Sequence, residues 1–254
     1  IDGYITTAQF ESRLKTWRKA TTTSPSGVNL SHYKSLVAKN DLDPISVEAD
    51  ILEEKRKLLV QAHVHLINYA TKHRHTYERW KTIVNVMIQK EPGNSKIHRL
   101  RVIHIYEADF NLLIGVKWRE LLHDATHKNT LHPGQHGVRP GHEATTPVFM
   151  EELKTDICYA SHKSLLNFDN DATSCYDRII TAIASILGRA NGLHRNIVFV
   201  HARTLREAKY KLKTLLGVSE EFYSHCKIFP IYGTGQGRAN SPVIWTLVSS
   251  TPFH

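Results

Sequence analysis

Phe168-Asp169-Asn170-Asp171-Ala172-Thr173-Ser174-Cys175-Tyr176-Asp177-Arg178-Ile179 is the stretch on which the reading of the fold turns. It closes a short apolar run that predicts a strand over 164–170, with Asp171 at its end. Helical spacing then resumes and predicts a helix over 175–190. An acidic side chain at the end of a buried strand can hold Mg²⁺, a hard cation that takes oxygen ligands and coordinates substrate phosphates. Metal-assisted phosphoryl transfer requires such carboxylates to converge with the triphosphate and the attacking hydroxyl. Taken alone, the same acid-rich turn is the ordinary make-up of a helix cap or a solvated loop.

Toward the C-terminus, the pattern predicts a helix over 195–216 and a strand over 227–232. A turn at glycines 233, 235 and 237 and a last helix from Ser241-Pro242 follow. In Gly233-Thr234-Gly235-Gln236-Gly237-Arg238-Ala239-Asn240-Ser241-Pro242 the glycines permit close approach of backbone to a ligand, and Gln236 can hydrogen-bond a nucleotide. The segment lacks the Gly-Lys-Ser/Thr ending of a Walker A loop and the dinucleotide fingerprint. On spacing alone it is a glycine turn before a helix.

Toward the N-terminus, residues 129–142 form a loop rich in Gly, His and Pro, with a helix after it to about 160. Asp109 is placed to cap a helix with Phe110, Leu113, Val116 and Leu121 near one face. Residues 97–106 read as a strand, and helices are predicted over 76–90 and 46–72. Pro92-Gly93-Asn94 ends the former and Asp43-Pro44 precedes the latter. Residues 7–20 have helical spacing and 21–29 read as a loop. The first two-thirds is thus mixed but mostly helical, and the last third alternates strand and helix.

The chain has 254 residues, 41% of them hydrophobic, enough to bury a core. With 33 Lys and Arg against 24 Asp and Glu, its formal charge is +9. That excess suits polyanionic partners, and equally a merely basic soluble protein. Three cysteines, Cys158, Cys175 and Cys226, with no paired spacing, argue against a disulfide framework or a cysteine zinc site. They fit a reducing compartment, hence an intracellular protein, nuclear or cytoplasmic. No apolar run has the length of a membrane span. The start at Ile1-Asp2-Gly3-Tyr4 lacks Met and the parts of a signal peptide, and suggests a fragment or excised domain.

Asp171-Ala172-Thr173-Ser174-Cys175-Tyr176-Asp177-Arg178-Ile179 resembles motif A of reverse transcriptases of non-long-terminal-repeat retrotransposons. Gln236-Gly237, with Ser241-Pro242 at the kept spacing, is similar to their motif B. Gln135-His136-Gly137-Val138-Arg139-Pro140-Gly141-His142-Glu143 resembles the element between the fingers and motif A. Arg101-Val102-Ile103-His104-Ile105, with Asp109 and the 110–119 helix, is similar to the fingers strand that begins Arg-Pro-Ile. Upstream, Ser24-Pro25-Ser26-Gly27 with His32-Tyr33-Lys34, and Trp80 through Lys90 leading to Pro92-Gly93, match more loosely. The resemblance spans about residues 24–254, in one order.

The resemblance implies an α+β right-hand polymerase fold. Residues 1–160 would be fingers and 161–254 a partial palm, a small antiparallel sheet backed by helices, with the thumb absent. It implies Asp171 as catalytic metal ligand with the Ala172 carbonyl nearby, and Tyr176 as the steric gate under the sugar. Gln236 and Gly237 would contact the incoming nucleotide. Arg101 would hold the triphosphate, helped by Lys96 and Arg99, since a guanidinium fork pairs phosphate oxygens bidentately. Arg139, Lys117 and Arg119 would lie along template and primer. The implied partners are an RNA template, a DNA primer and deoxynucleoside triphosphates, with two Mg²⁺ ions in the complete enzyme.

Two departures qualify the resemblance. Motif C, which supplies the remaining carboxylates, is missing, so this chain by itself is expected to have no polymerase activity. Arg238 stands where the related elements carry a small or neutral residue, and is expected either to disturb the pocket or to mark a decayed copy. A decayed or domesticated nucleic-acid-binding relative is the alternative. An RNA-dependent RNA polymerase is a third reading, against which the aromatic Tyr176 argues. Among other signals, His123 and His127 have the spacing of a zinc pair but carry Asp124 where the metalloprotease pattern needs Glu. His63, His65, His73 and His75 read as surface positions on helices. Trp17, Trp80, Trp118 and Trp245 read as packing residues.

Overall fold

The computed structural model describes residues 1–17, 24–38, 47–167, 172, 174–228 and 230–250. Among the described residues the chain is mixed α+β, nine α-helices around one small sheet. Helix α1 (Thr7–Thr16) starts at a capping box. The Thr6 Oγ1 accepts from the Gln9 amide at 3.1 Å and the Gln9 Oε1 accepts from the Thr6 amide at 2.9 Å, which satisfies two otherwise orphan donors. Asn29 caps α2 (Leu30–Ser35), and α3 (Val47–His73) falls where the spacing places it. His75 lies just beyond its end.

Residues 76–90 are not a helix. After one 3₁₀ turn at Glu78–Lys81 they form strand β1 (Thr82–Gln89), paired antiparallel with β2 (Leu100–Ile105). The β-branched side chains of Thr82, Ile83, Val84, Val86 and Ile88 suit a pleated surface better than a helix. Helix α8 (Arg195–Arg206) likewise ends before 216, and Lys209–Thr214 is strand β3, parallel to β1 from Thr82↔Lys209 to Val86↔Lys213. β4 (Gly217–Val218) and β5 (Tyr223–Ser224) both add antiparallel to β3. The order is β2-β1-β3-β4, with β5 also on β3. The sheet is therefore mixed rather than purely antiparallel, and it takes strands from both sides of position 160.

Further differences concern element ends. Residues 164–167 are exposed and in no strand, with 168–170 outside the described residues. The expected 175–190 helix breaks at 179–180 into α6 (Cys175–Arg178) and α7 (Thr181–Ala190). The described residues of 227–232 form no strand. Helix α5 (Thr145–Ala160) and helix α9 (Ser241–Ser250) occur where expected.

The central element is α4 (Ala108–His127). Twelve of its twenty residues are buried, more than one stripe supplies, so it is covered on several sides. Glu107, not Asp109, occupies its N-cap position. Asp109 instead accepts from Arg79 Nη1 at 3.0 Å, from Trp80 Nε1 at 2.8 Å and from the Phe110 amide at 2.9 Å. Trp80 and Trp118 are fully buried, and Trp17 and Trp245 pack against the core at its rim. One face of the sheet carries buried Ile83, Asn85 and Tyr210. The other, with Val84, Val86, Ile88, Ile103 and Ile105, is only partly covered.

Candidate functional site

The glycine turn sits between α6 and β2. On one side, the Gly233 amide donates to the Ile179 carbonyl and the Thr234 amide to the Tyr176 carbonyl, each at 2.9 Å. A Cβ on Gly233 (φ +97°) would lie 2.7 Å from both Asp177 Cα and the Tyr176 carbonyl oxygen, so only glycine fits. On the other side, the His104 amide donates to the Gln236 carbonyl at 2.8 Å and the turn runs parallel to β2 at Ile103. A Cβ on Gly235 would meet the His104 ring, and one on Gly237 the Ile103 side chain, within 3 Å. All three glycines have positive φ, as turn chemistry requires.

The turn is also held from behind. Ser241 Oγ donates to the Gly235 carbonyl at 2.7 Å, and the Ala239 amide donates to Asn111 Oδ1 on α4 at 3.1 Å. Asn111 carried no sequence signal, because an Asn on a helix is unremarkable until its partner is known. The 135–142 loop is tied to the same helix α9: Thr246 Oγ1 donates to the Gly137 carbonyl at 3.1 Å and Ser249 Oγ to Gln135 Oε1 at 3.3 Å. In that loop Val138 holds φ +63°, a strained conformation for a β-branched residue.

Asp177 faces the turn. Its Oδ2 accepts from Gln236 Nε2 at 3.5 Å, and its Oδ1 is buried with no partner. Burial raises its pKa, against the Gln236 bond and the charge of Lys90 at the end of β1. Segments 174–179 and 233–237 therefore meet beside one carboxylate, and the turn's other side joins β2. Asp171, the implied metal ligand, lies outside the described residues, and Ala172 is exposed. Among the described residues no three His, Cys, Asp or Glu side chains gather in a metal-holding group. The partnerless oxygen of Asp177 suits a hard cation, but one carboxylate is not a ligand set.

Tyr176 is half-buried against the core, and burial raises its pKa. Arg101 projects from β2 into solvent on the face shared with Ile88, and Lys96 and Arg99 are exposed before it, Arg99 lying 3.7 Å from Glu91. Arg139 is partly buried, in the loop tied to α9. Lys117 does not lie along a surface. It is 1% exposed, with its ammonium 2.9 Å from Glu120, because its position on α4 points inward beside Trp118. Arg119, next in sequence, is exposed.

Arg238 does not enter the site either. It turns into the core, its guanidinium 3.9 Å over the Tyr106 ring, with Nη1 donating to His201 Nε2 at 3.1 Å and to the Thr234 carbonyl at 3.3 Å. The π faces and the carbonyl take the place of a carboxylate. His123 and His127 approach to 3.2 Å at exposed positions on α4. Compared with protein families and with curated proteins, the sequence finds no match in either.

Proposed function

We propose that the chain is part of the fingers and palm of an RNA-directed DNA polymerase of the non-long-terminal-repeat retrotransposon type. In this reading the convergence of α6, the glycine turn and β2 is the pocket for the incoming deoxynucleoside triphosphate. One observation carries it: segments 176–179 and 233–236, far apart in sequence, meet through the backbone hydrogen bonds Thr234–Tyr176 and Gly233–Ile179, with the Gln236 side chain turned toward Asp177. The motif resemblance requires that meeting, and an unrelated glycine turn does not.

The residues then divide the work. Gln236 and the exposed backbone at Gly237 meet the nucleotide, and Arg101, with Lys96 and Arg99, supplies positive charge for its triphosphate. Tyr176 blocks a ribose 2′-hydroxyl. Asp171 with the Ala172 carbonyl is the assigned Mg²⁺ ligand, and the metal when bound would neutralise phosphate charge. RNA template and DNA primer are the assigned macromolecular partners.

Nucleotide binding to the chain with an RNA–DNA template–primer and Mg²⁺ tests the reading. The deoxynucleotide should bind roughly tenfold or more tighter than the matching ribonucleotide, about 1.4 kcal/mol. Tyr176→Ala should narrow that gap, and Asp171→Asn and Gln236→Ala should weaken deoxynucleotide binding. Equal affinity for both sugars, unmoved by all three substitutions, would overturn the proposal in favour of a nucleic-acid-binding relative without a nucleotide site.

A further inference from the structure

We propose that the open face of the sheet along β3 is a docking surface for single-stranded nucleic acid, distinct from the glycine-turn site. Lys209, Lys211 and Lys213 alternate along β3 and so project from one face, opposite to the buried Tyr210. The pairing places Lys211 beside Val84 and Lys213 beside Val86, on the side that also holds Ile88, Ile103 and Ile105. Arg101 is on that same side, one row further, opposite Ile88. The glycine turn joins the far edge of β2, so three strand spacings, roughly 14 Å, separate it from β3.

Among the described residues the charges of this ladder meet no carboxylate in direct contact, although Lys209 acts on Glu78 at longer range. Lys57, Lys81, Lys117, Lys128 and Lys154 each pair with a carboxylate. Among the described residues Lys209, Lys211 and Lys213 form no ion pair, although Glu220 and Glu221 follow shortly in sequence. Alternate residues on a strand stand about 7 Å apart, a step comparable to that between phosphates of an extended single strand.

Phe222 makes the occupant more specific than a generic polyanion. Its ring is half exposed, and Lys211 Nζ lies 4.7 Å from its centroid. An aromatic face beside a row of cations is the arrangement that stacks bases while the backbone is held electrostatically. The partly covered Val84, Val86 and Ile88 extend an apolar floor from it. A duplex hides its base faces, so an unpaired strand is the partner this surface fits.

The test is salt-dependent binding of a labelled 20-nucleotide oligo(U) to the chain in EDTA without nucleotide, so that the glycine-turn reading can fail separately. Oligo(dT) in a parallel arm separates RNA from DNA. The triple substitution Lys209→Gln, Lys211→Gln, Lys213→Gln should lower the slope of log affinity against log salt by about 2, from some 0.7 per lysine. Lys55→Gln, Lys57→Gln, Lys72→Gln on α3, which removes the same net charge, should leave it unchanged. Replacing the three β3 lysines by Arg should preserve binding. Phe222→Ala should weaken binding about tenfold at every salt concentration with no change of slope. Equal loss from both lysine triples, or no effect of Phe222→Ala, would overturn the proposal.

Discussion

The start of α4 and the glycine turn are both buried and polar, and they treat their polar atoms differently. At α4, Glu107 is wholly buried and accepts from the Ser26 amide at 3.3 Å and from its hydroxyl at 2.8 Å. Asp109 accepts from Arg79, Trp80 and Phe110. Around the glycine turn, Asp177 Oδ1, Thr234 Oγ1, Arg238 Nη2, Asn240 Oδ1 and His201 Nδ1 are buried with no hydrogen-bond partner. A buried polar atom without a partner costs about 1–3 kcal/mol. The first region spends its polarity on holding β1's approach to α4. The second leaves several polar atoms unpaired, and only that of Asp177 faces the glycine turn; the others lie in the core behind it.

The largest effect should come from breaking the saturated region. Asp109→Ala leaves Trp80 Nε1 without its acceptor and takes from Arg79 its nearest carboxylate, with only Glu107 at 3.6 Å remaining, and thermal unfolding should record a loss of about 3 kcal/mol or more. A loss under 1 kcal/mol would mean that α4 is held by its apolar contacts alone.

Acid sharpens the contrast by an intermediate amount. Burial, then the charge of Arg238, holds the His104 pKa down to about 4 and that of His201 well below its ordinary value. Unfolded, both imidazoles take protons near pH 6.5, so the unfolded state binds more protons and stability falls with acidification below that point. For His104 the loss continues down to about pH 4. Asp177 opposes it: its raised pKa gives stability at low pH that is lost as pH rises through the carboxylate range. Denaturant midpoints between pH 7 and 5 should drop, by on the order of 1 kcal/mol per pH unit for each histidine. His201→Gln should flatten the profile, and an unchanged profile would count against a neutral His201.

The smallest effect belongs to Arg238→Met. His201 Nε2 keeps Asn240 Nδ2, and the one Ser241 hydroxyl proton is shared between the carbonyls of Gly235 at 2.7 Å and Thr234 at 3.1 Å, so removing the guanidinium leaves each acceptor a donor within reach. A buried charge without a carboxylate is commonly replaced by an apolar side chain of like volume at little cost. The midpoint should shift by less than about 1 kcal/mol, and a large loss would show the cation–π contact with Tyr106 to be structural.

What was legible in the sequence follows the range of the forces involved. The three glycines, Ser241-Pro242 and the long α3 announce themselves locally, through φ, capping and periodicity. Strand β3 did not, since Lys209-Tyr210-Lys211-Leu212-Lys213 alternates within good helix formers, and its pairing with β1 overrides that propensity. β1 differs: its β-branched Thr82, Ile83, Val84, Val86 and Ile88 favour a strand locally, and the expected helix over 76–90 gives that local signal too little weight. At the site, spacing announced that glycines were needed but not what each approaches: the Tyr176 carbonyl, His104 or Ile103. Nor did it show that Lys117 and Arg238 turn inward, since a cation's direction is set by neighbours that local sequence does not name.

The parallel pairing of β1 with β3 also shapes how the chain is made. Thr82 leaves the ribosome long before its partner Lys209, and loop closure over so much chain is slow. The β1–β2 hairpin is local in sequence, whereas the other edge of β1 has no partner until β3 itself has been made. That edge carries Ile83, Val84 and Val86, an invitation to pairing with other nascent copies. Expression at low temperature or with a holdase present should therefore raise the share of chains in which this sheet closes on itself, read as soluble yield.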